Sequence, residues 1–184
     1  IPLRLVGSEM CIRDSIYTAQ VFATAFGGGM SSRLFQEVRE KRGLCYSIFA
    51  SAGAYSDTGT LTLYAGTSGD KVSELANITM DEIKRAADNM NENEVVRASV
   101  QMKAGLLMGL ESPSSRAERL ARMVAIWDRV PTLDEVVERI DGVTVNSVRN
   151  FAASLIGGSP AALALYGPVK DAPSVEELQA RLVA

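Results

Sequence analysis

The chain of 184 residues contains no histidine. This absence excludes Ser-His-Asp and Cys-His catalysis, and it excludes every zinc site that depends on imidazole ligands. The two cysteines, Cys11 and Cys45, are too few for a disulfide framework, and neither stands in a CxxC pair that could bind zinc. An enzymatic role therefore requires groups that this chain does not supply.

Long apolar runs and a strong excess of one charge are also missing. The apolar segments AGLLMGL and AALALYG are far too short to span a bilayer. The net charge is −3 and no basic face accumulates, which argues against a nucleic-acid partner. These features indicate an ordinary globular protein with enough residues for a sizeable core.

Residues 1–15 differ in character from the rest of the chain. They lack the basic start, the long apolar core and the small-residue cleavage site of a signal peptide. The string VGSEMCIRDS resembles translated adaptor sequence, and no methionine opens the chain. We therefore expect a fragment in which an atypical, non-native leader replaces a native strand, and we assign residues 16–184 to a single domain.

Hydrophobic spacing predicts two consecutive helices after this leader. The first begins at Ile16 and ends at Gly27–Gly29. The second begins at Ser31 and Ser32, whose hydroxyl groups we expect to cap it, and Gly43 is the natural residue to end it. The glycines between the two helices are interpreted as a hinge.

The rest of the sequence predicts strands and helices in separate stretches of the chain. The runs LCYSIFASAGAY and GTLTLYAG predict an antiparallel hairpin with one face against helices. Helices follow, with capping boxes predicted at Asn91, Thr132 and Ser174, and AALALYG predicts one buried strand. This order predicts an α+β fold, in which helices cover one face of an antiparallel sheet.

The stretch FGGGMSSR does not fit a phosphate-binding loop. It lacks the lysine of a Walker motif, a helix precedes it, and Ser32 stands where a dinucleotide fingerprint needs its third glycine. Glu37 and Glu40 could in principle do acid–base work or bind a cation, but the basic residues around them favour solvated ion pairs.

Two further residue classes are interpreted as core. Met102, Met108, Met123 and Trp127 lie at helical core spacing, which is typical of packing and not of a ligand box. Cys45 is interpreted as a buried small apolar residue at the start of a strand, because no base is present to activate its thiol.

Arg39 and Tyr46 are the candidates that remain. They are seven residues apart, and the helix stop at Gly43 separates them. A guanidinium and a phenol can both donate to a peptide carbonyl or an oxyanion. The alternative is structural, since a cation at a helix C-terminus is favourable by itself and an early-strand Tyr can simply pack.

The stretch GGGMSSRLFQEVREKRGLCYSI and the downstream segment DEIKRAADNMNENEVVRASVQMKAGLLMGLESPSSRAERLARMV carry a family resemblance. They resemble the C-terminal homologous domain of pitrilysin- or insulinase-type zinc metallopeptidases (inverzincins), which include mitochondrial processing peptidase. The resemblance covers about residues 16–168. It implies a LuxS- and processing-peptidase-like fold, in which two similar halves close around an extended peptide.

The resemblance also implies a division of chemistry between those halves. The zinc motif H-x-x-E-H belongs to the amino-terminal half, so the cofactor zinc is expected in a partner half and not in this chain. The second half contributes an Arg and a Tyr, spaced as Arg39 and Tyr46 are, that contact substrate and assist the transition state. Gly27, Gly28 and Gly29 match a substrate-cavity loop that is longer in the non-catalytic processing-peptidase subunit.

On this resemblance we expect the substrate-binding half of a zinc metalloendopeptidase, inactive alone. The expected partners are the zinc-bearing half, on the same or a separate polypeptide, a peptide substrate and a second copy in a homodimer. The alternative is a non-catalytic structural subunit of a processing-peptidase-like or respiratory core complex. The compartment is left open between cytoplasm and periplasm, and the cytoplasm is favoured.

Overall fold

A computed structural model describes residues 2–7, 16–55, 58–156 and 161–184, and for residues 2–7 and Trp127 it describes the backbone alone. The strands are β1 (Pro2–Gly7), β2 (Ser47–Ala54), β3 (Gly59–Gly66) and β4 (Ala161–Leu163). The α-helices are α1 (Ile16–Gly27), α2 (Val72–Asn89), α3 (Glu92–Leu110), α4 (Pro113–Trp127), α5 (Leu133–Asp141), α6 (Val145–Ile156) and α7 (Val175–Val183). A π-helical segment, Phe35–Glu40, precedes β2, and a 3₁₀ turn, Gly69–Lys71, precedes α2.

The strands form one antiparallel sheet in the order β2-β3-β1-β4. β2 and β3 form the predicted hairpin, with Ser47 opposite Gly66 and Ala54 opposite Gly59. The α+β prediction is confirmed. The prediction of a buried strand at AALALYG is wrong, because β4 has only three residues, pairs with β1 at the sheet edge and is partly exposed.

The leader segment contains the strand β1, which lies between β3 and β4. Residues 8–15 lie outside the described residues. The expectation that residues 1–15 are non-native therefore stays a prediction.

One face of the sheet packs against the helices. Leu61 and Leu63 of β3 are buried against the helices, as the alternation in GTLTLYAG predicts. Beneath them Phe22 stacks on Phe26 at 5.1 Å between ring centroids and meets Phe151 at 5.2 Å. These contacts form the centre of the apolar core, which fixes α1 on the sheet.

Several helices begin with the side-chain caps that the sequence predicts. The capping boxes that begin at Asn91 and Ser174 form in full. At α5 the Thr132 hydroxyl accepts from the Glu135 amide, but the Glu135 carboxylate binds Arg129 and does not reach back to close the box. In the described ranges there is no helix of the length and apolarity that membrane crossing requires.

The core assignment of the methionines is only partly right. Met102 and Met123 pack against the core, but Met108 is 68% exposed because the far half of α3 turns this side chain away from the helices beneath it. The side chain of Trp127 lies outside the described residues.

Candidate functional site

The site begins where α1 ends on the sheet. A Cβ atom at Gly27 would lie 2.5 Å from the Ala50 nitrogen, so only glycine permits this close contact between α1 and β2. The Gln101 amide donates to the Gly28 carbonyl at 2.8 Å. The glycine loop is therefore held by β2 on one side and by α3 on the other.

The helix after this loop is wider than predicted. Phe35–Glu40 is a π-helix, with the Lys41 amide donating to the Gln36 carbonyl at 3.0 Å. The expected serine cap is wrong, because the segment shows no side-chain cap hydrogen bond and the buried Ser32 hydroxyl has no partner among the residues that the structure describes. The Ser32 carbonyl still accepts from the Gln36 amide at 3.0 Å, so the backbone alone begins the helix.

Gly43 ends the segment as the sequence predicts. Its φ is +59°, and its amide donates to the Arg39 carbonyl at 2.9 Å. Lys71 Nζ then donates to the Gly43 carbonyl at 2.9 Å, and the Tyr46 amide donates to the carbonyl of Gly66, the last residue of β3, at 2.9 Å. This reversal carries the chain from the last π turn directly into β2.

The reversal brings Arg39 and Tyr46 together. The Arg39 Cζ atom lies 5.9 Å from the Tyr46 ring centroid and 4.5 Å from the Phe35 ring centroid. Both distances suit a cation–π contact. The sequence analysis missed Phe35, although its position four residues before Arg39 places the two side chains on one helix face.

The polar groups of this pair are available to a ligand. Tyr46 is 86% exposed, and Arg39 is partly buried between the two rings. Within the part of the chain that the structure describes, neither the Arg39 guanidinium nor the Tyr46 hydroxyl makes a hydrogen bond or ion pair. The rings fix the cation, and its N–H donors remain free for an incoming acceptor.

The neighbouring acid does not join this site. Lys41 donates to the Glu37 carboxylate, and Arg42 does so at 3.1 Å. These contacts, the Lys41 hydrogen bond above all, lower the pKa of Glu37 below its usual value. Glu37 is therefore an ion-paired carboxylate, as the surrounding basic residues indicate.

Cys45 is less buried than predicted and precedes the strand, which begins at Ser47. Burial raises the pKa of its thiol, and the Arg39 charge offsets this only in part. The thiol is consequently protonated at neutral pH, the form in which it is a poor nucleophile.

The described residues do not fit a zinc ion. They contain no cluster of three His, Cys, Asp or Glu side chains that could hold a metal. The complete sequence contains no histidine at all.

Comparison with known proteins relates the chain to one peptidase family. Residues 13–102 match the family model described as the peptidase M16 inactive domain. An uncharacterized zinc protease of Streptomyces coelicolor is 38% identical over 152 residues, which are 82% of this chain and 33% of that protein. The uncharacterized zinc protease YmxG of Bacillus subtilis is 35% identical over 164 residues, 88% of this chain and 39% of that protein.

A solved structure shows the same fold. A chain of complex III2 from Candida albicans with Inz-5 bound superposes with a TM-score of 0.87 at 21% identity, over 98% of this chain and 45% of that one. The chain thus spans between 33% and 45% of the length of these proteins.

Proposed function

Since this chain carries a C-terminal domain of the M16 peptidases, we propose that it is the peptide-binding half, without zinc, of a zinc metalloendopeptidase. Its relatives in Streptomyces coelicolor and Bacillus subtilis are named zinc proteases, which supports this activity for the whole protein. The chain alone is inactive, and its contribution is to bind and orient the peptide.

The observation that carries the proposal is the free donor pair formed by Arg39 and Tyr46. The Arg39 guanidinium rests between Phe35 and Tyr46, and the exposed phenol lies at the start of β2. In the assembled enzyme both groups donate hydrogen bonds to the carbonyl oxygen of the scissile peptide, where negative charge develops. The loop Gly27–Gly29 borders the cavity in which this peptide binds.

Zinc enters this proposal only through the partner. The described residues lack a cluster that fits the ion, so the metal and the general base belong to the amino-terminal half. The partner half lies on the same polypeptide or on a separate subunit.

The test uses the complete enzyme, with both halves present. In Arg39→Ala and Tyr46→Phe we expect kcat/KM for a peptide to fall by about 100- to 1,000-fold each, the usual effect of losing one such donor. Zinc content measured by atomic absorption stays at the wild-type level. Lys41→Ala, which removes an exposed cation from the same turn, keeps wild-type turnover. Wild-type turnover in both Arg39→Ala and Tyr46→Phe would contradict the proposal.

The second candidate is a non-catalytic subunit of a larger assembly. The superposition of 98% of this chain on a complex III2 chain favours it. At 21% sequence identity, this match concerns the fold alone. The partner half distinguishes the two functions. A purified partner that carries H-x-x-E-H and binds zinc supports the peptidase, and a partner without that motif supports the structural subunit.

A further inference from the structure

The chain reversal between the π-helical segment and β2, residues 41–46, is held by the connection that follows β3. Thr67 Oγ1 donates to the Leu44 carbonyl at 2.5 Å, and Lys71 Nζ donates to the Gly43 carbonyl at 2.9 Å. Two side chains from a distant segment therefore fix two consecutive peptide groups. The Leu44 contact is partly buried and the Gly43 contact is exposed, so water replaces the lysine more easily than the threonine.

The position of the Tyr46 ring depends on this backbone. Tyr46 is 86% exposed, so little packing holds its ring, and its amide is bonded to the Gly66 carbonyl. Arg39 differs, because its guanidinium lies 4.5 Å from the ring centroid of Phe35 on its own helix. The geometry of the donor pair is therefore decided by where the reversal places Tyr46, two residues after Leu44.

We propose that Thr67 is a positioning residue of the peptide-binding site, because its hydrogen bond to Leu44 places the Tyr46 phenol beside the Arg39 guanidinium. This inference rests on the function proposed above for that pair. Thr67 acts through the backbone of the reversal and through Tyr46, and Lys71 supports the same reversal from its exposed side. Without the Thr67 hydroxyl, the Leu44 carbonyl has no other donor among the described residues, so the reversal shifts and Tyr46 moves with it.

A misplaced Tyr46 affects kcat more than KM, since its phenol donates where negative charge develops in the transition state. In the complete enzyme, with both halves present, we expect Thr67→Val to lower kcat about 10- to 100-fold. KM should change by less than about twofold. Thr67→Ser retains the hydroxyl and keeps wild-type kcat. Lys71→Met lowers kcat less than Thr67→Val does, because water can bond the exposed Gly43 carbonyl. Thr62→Val, the same change within β3, is the matched control and keeps wild-type kcat.

A double variant distinguishes positioning from a general loss of stability. If Thr67 acts through Tyr46, Thr67→Val causes no further loss of kcat in the Tyr46→Phe enzyme, which already lacks the phenol hydroxyl. Additive losses in the double variant would overturn the proposal. So would wild-type kcat in Thr67→Val, or equal losses in Thr67→Val and Thr67→Ser.

A second readout does not depend on peptidase activity. In protein labelled with fluorotyrosine, fluorine NMR reports the surroundings of the Tyr46 ring, whose resonance is the one that Tyr46→Phe removes. We expect Arg39→Ala and Thr67→Val each to shift this resonance, because each separates the ring from the guanidinium, whereas Thr67→Ser leaves it in place. Circular dichroism confirms that each variant is folded. An unchanged resonance in Thr67→Val would contradict the positioning role.

The two proposals fail in different ways. Wild-type turnover in both Arg39→Ala and Tyr46→Phe would contradict the peptidase function, and the fluorine resonance would still decide whether Thr67 positions Tyr46. Reduced turnover in those two variants, together with an unshifted resonance and wild-type kcat in Thr67→Val, would overturn the role of Thr67 alone.

Discussion

Arg33 and Glu94 are 61 residues apart and form a bidentate ion pair. Arg33 Nε donates to Oε1 of Glu94 at 2.9 Å, and Nη2 donates to Oε2 at 2.8 Å. The same carboxylate accepts a hydrogen bond from the backbone amide of Asn91 at 2.9 Å, which closes the capping box of α3. One carboxylate therefore joins the start of the helix that carries Arg39 to the start of α3.

Removing one partner of this ion pair is expected to destabilise the fold. The two side chains are only 11% and 13% exposed, so removing one partner leaves a mostly desolvated charge. We expect Arg33→Met to lower the free energy of unfolding by about 2–3 kcal/mol. Urea denaturation measures this loss. Glu92→Gln, an exposed change in the first turn of α3, is the control and costs less than about 0.5 kcal/mol.

Gly27 is expected to be the least replaceable glycine of the loop. An alanine there places Cβ 2.5 Å from the backbone nitrogen of Ala50, and backbone cannot move aside without separating α1 from β2. Gly27→Ala should cost about 2 kcal/mol or more in urea denaturation. Gly105→Ala is the matched control, because nothing lies within 4 Å of its added Cβ. It should stabilise α3 by about 0.5–1 kcal/mol. Equal effects of the two changes would contradict the packing argument.

Glu135 gives stability a defined pH dependence. The hydrogen bond from Arg129, with further support from Arg139, lowers the pKa of Glu135 from 4.5 to about 2. Because the folded pKa is below the unfolded one, this stabilisation is fully present above pH 4.5 and is lost as the pH falls towards about 2. Urea denaturation between pH 6 and pH 2.5 should show a smaller acid-dependent loss in Glu135→Gln than in wild type. Identical pH profiles would exclude this contribution.

Cys45 is expected to react slowly in the folded protein. Burial raises the pKa of its thiol, while Arg39 works in the opposite direction. In a Cys11→Ser chain at pH 8, alkylation by iodoacetamide should be slower for folded than for urea-unfolded protein. Arg39→Ala should raise the thiol pKa further, because it removes the cation that favours thiolate. The pH dependence of alkylation measures that shift, and a fall in the pKa would contradict it.

Helix α4 is expected to be the least protected helix. None of its described side chains is buried, and only Arg119 and Met123 are even partly covered. Hydrogen exchange followed by mass spectrometry should show faster amide exchange in α4 than in α1, whose Phe22 and Phe26 are fully buried. Comparable protection of the two helices would show that α4 has a partner in solution.

Short-range patterns were readable from the sequence alone. The capping boxes at Asn91 and Ser174, the helix stop at Gly43 and the alternation of β3 each involve residues close in the chain, so local backbone chemistry decides them. The same kind of pattern failed at Ser32, whose hydroxyl is buried and caps nothing, because packing decides which way a side chain turns. It also failed at Met108, since core spacing on α3 does not show which face has a partner.

The sequence by itself determined the α+β class, most helix boundaries and the choice of Arg39 and Tyr46 as candidate site residues. The hydrophobic periodicity, the helix caps and the glycines that end helices each act within a few residues, so they can be read from the sequence. Only the tertiary structure decided that the reversal at Gly43 brings the Tyr46 ring to the Arg39 guanidinium, which already contacts the Phe35 ring four residues away. It also decided that Arg33 meets Glu94 and that Gly27 touches Ala50. The Arg33–Glu94 and Gly27–Ala50 contacts join segments distant in the chain, and their geometry follows from how the helices pack on the sheet. No local pattern encodes that packing.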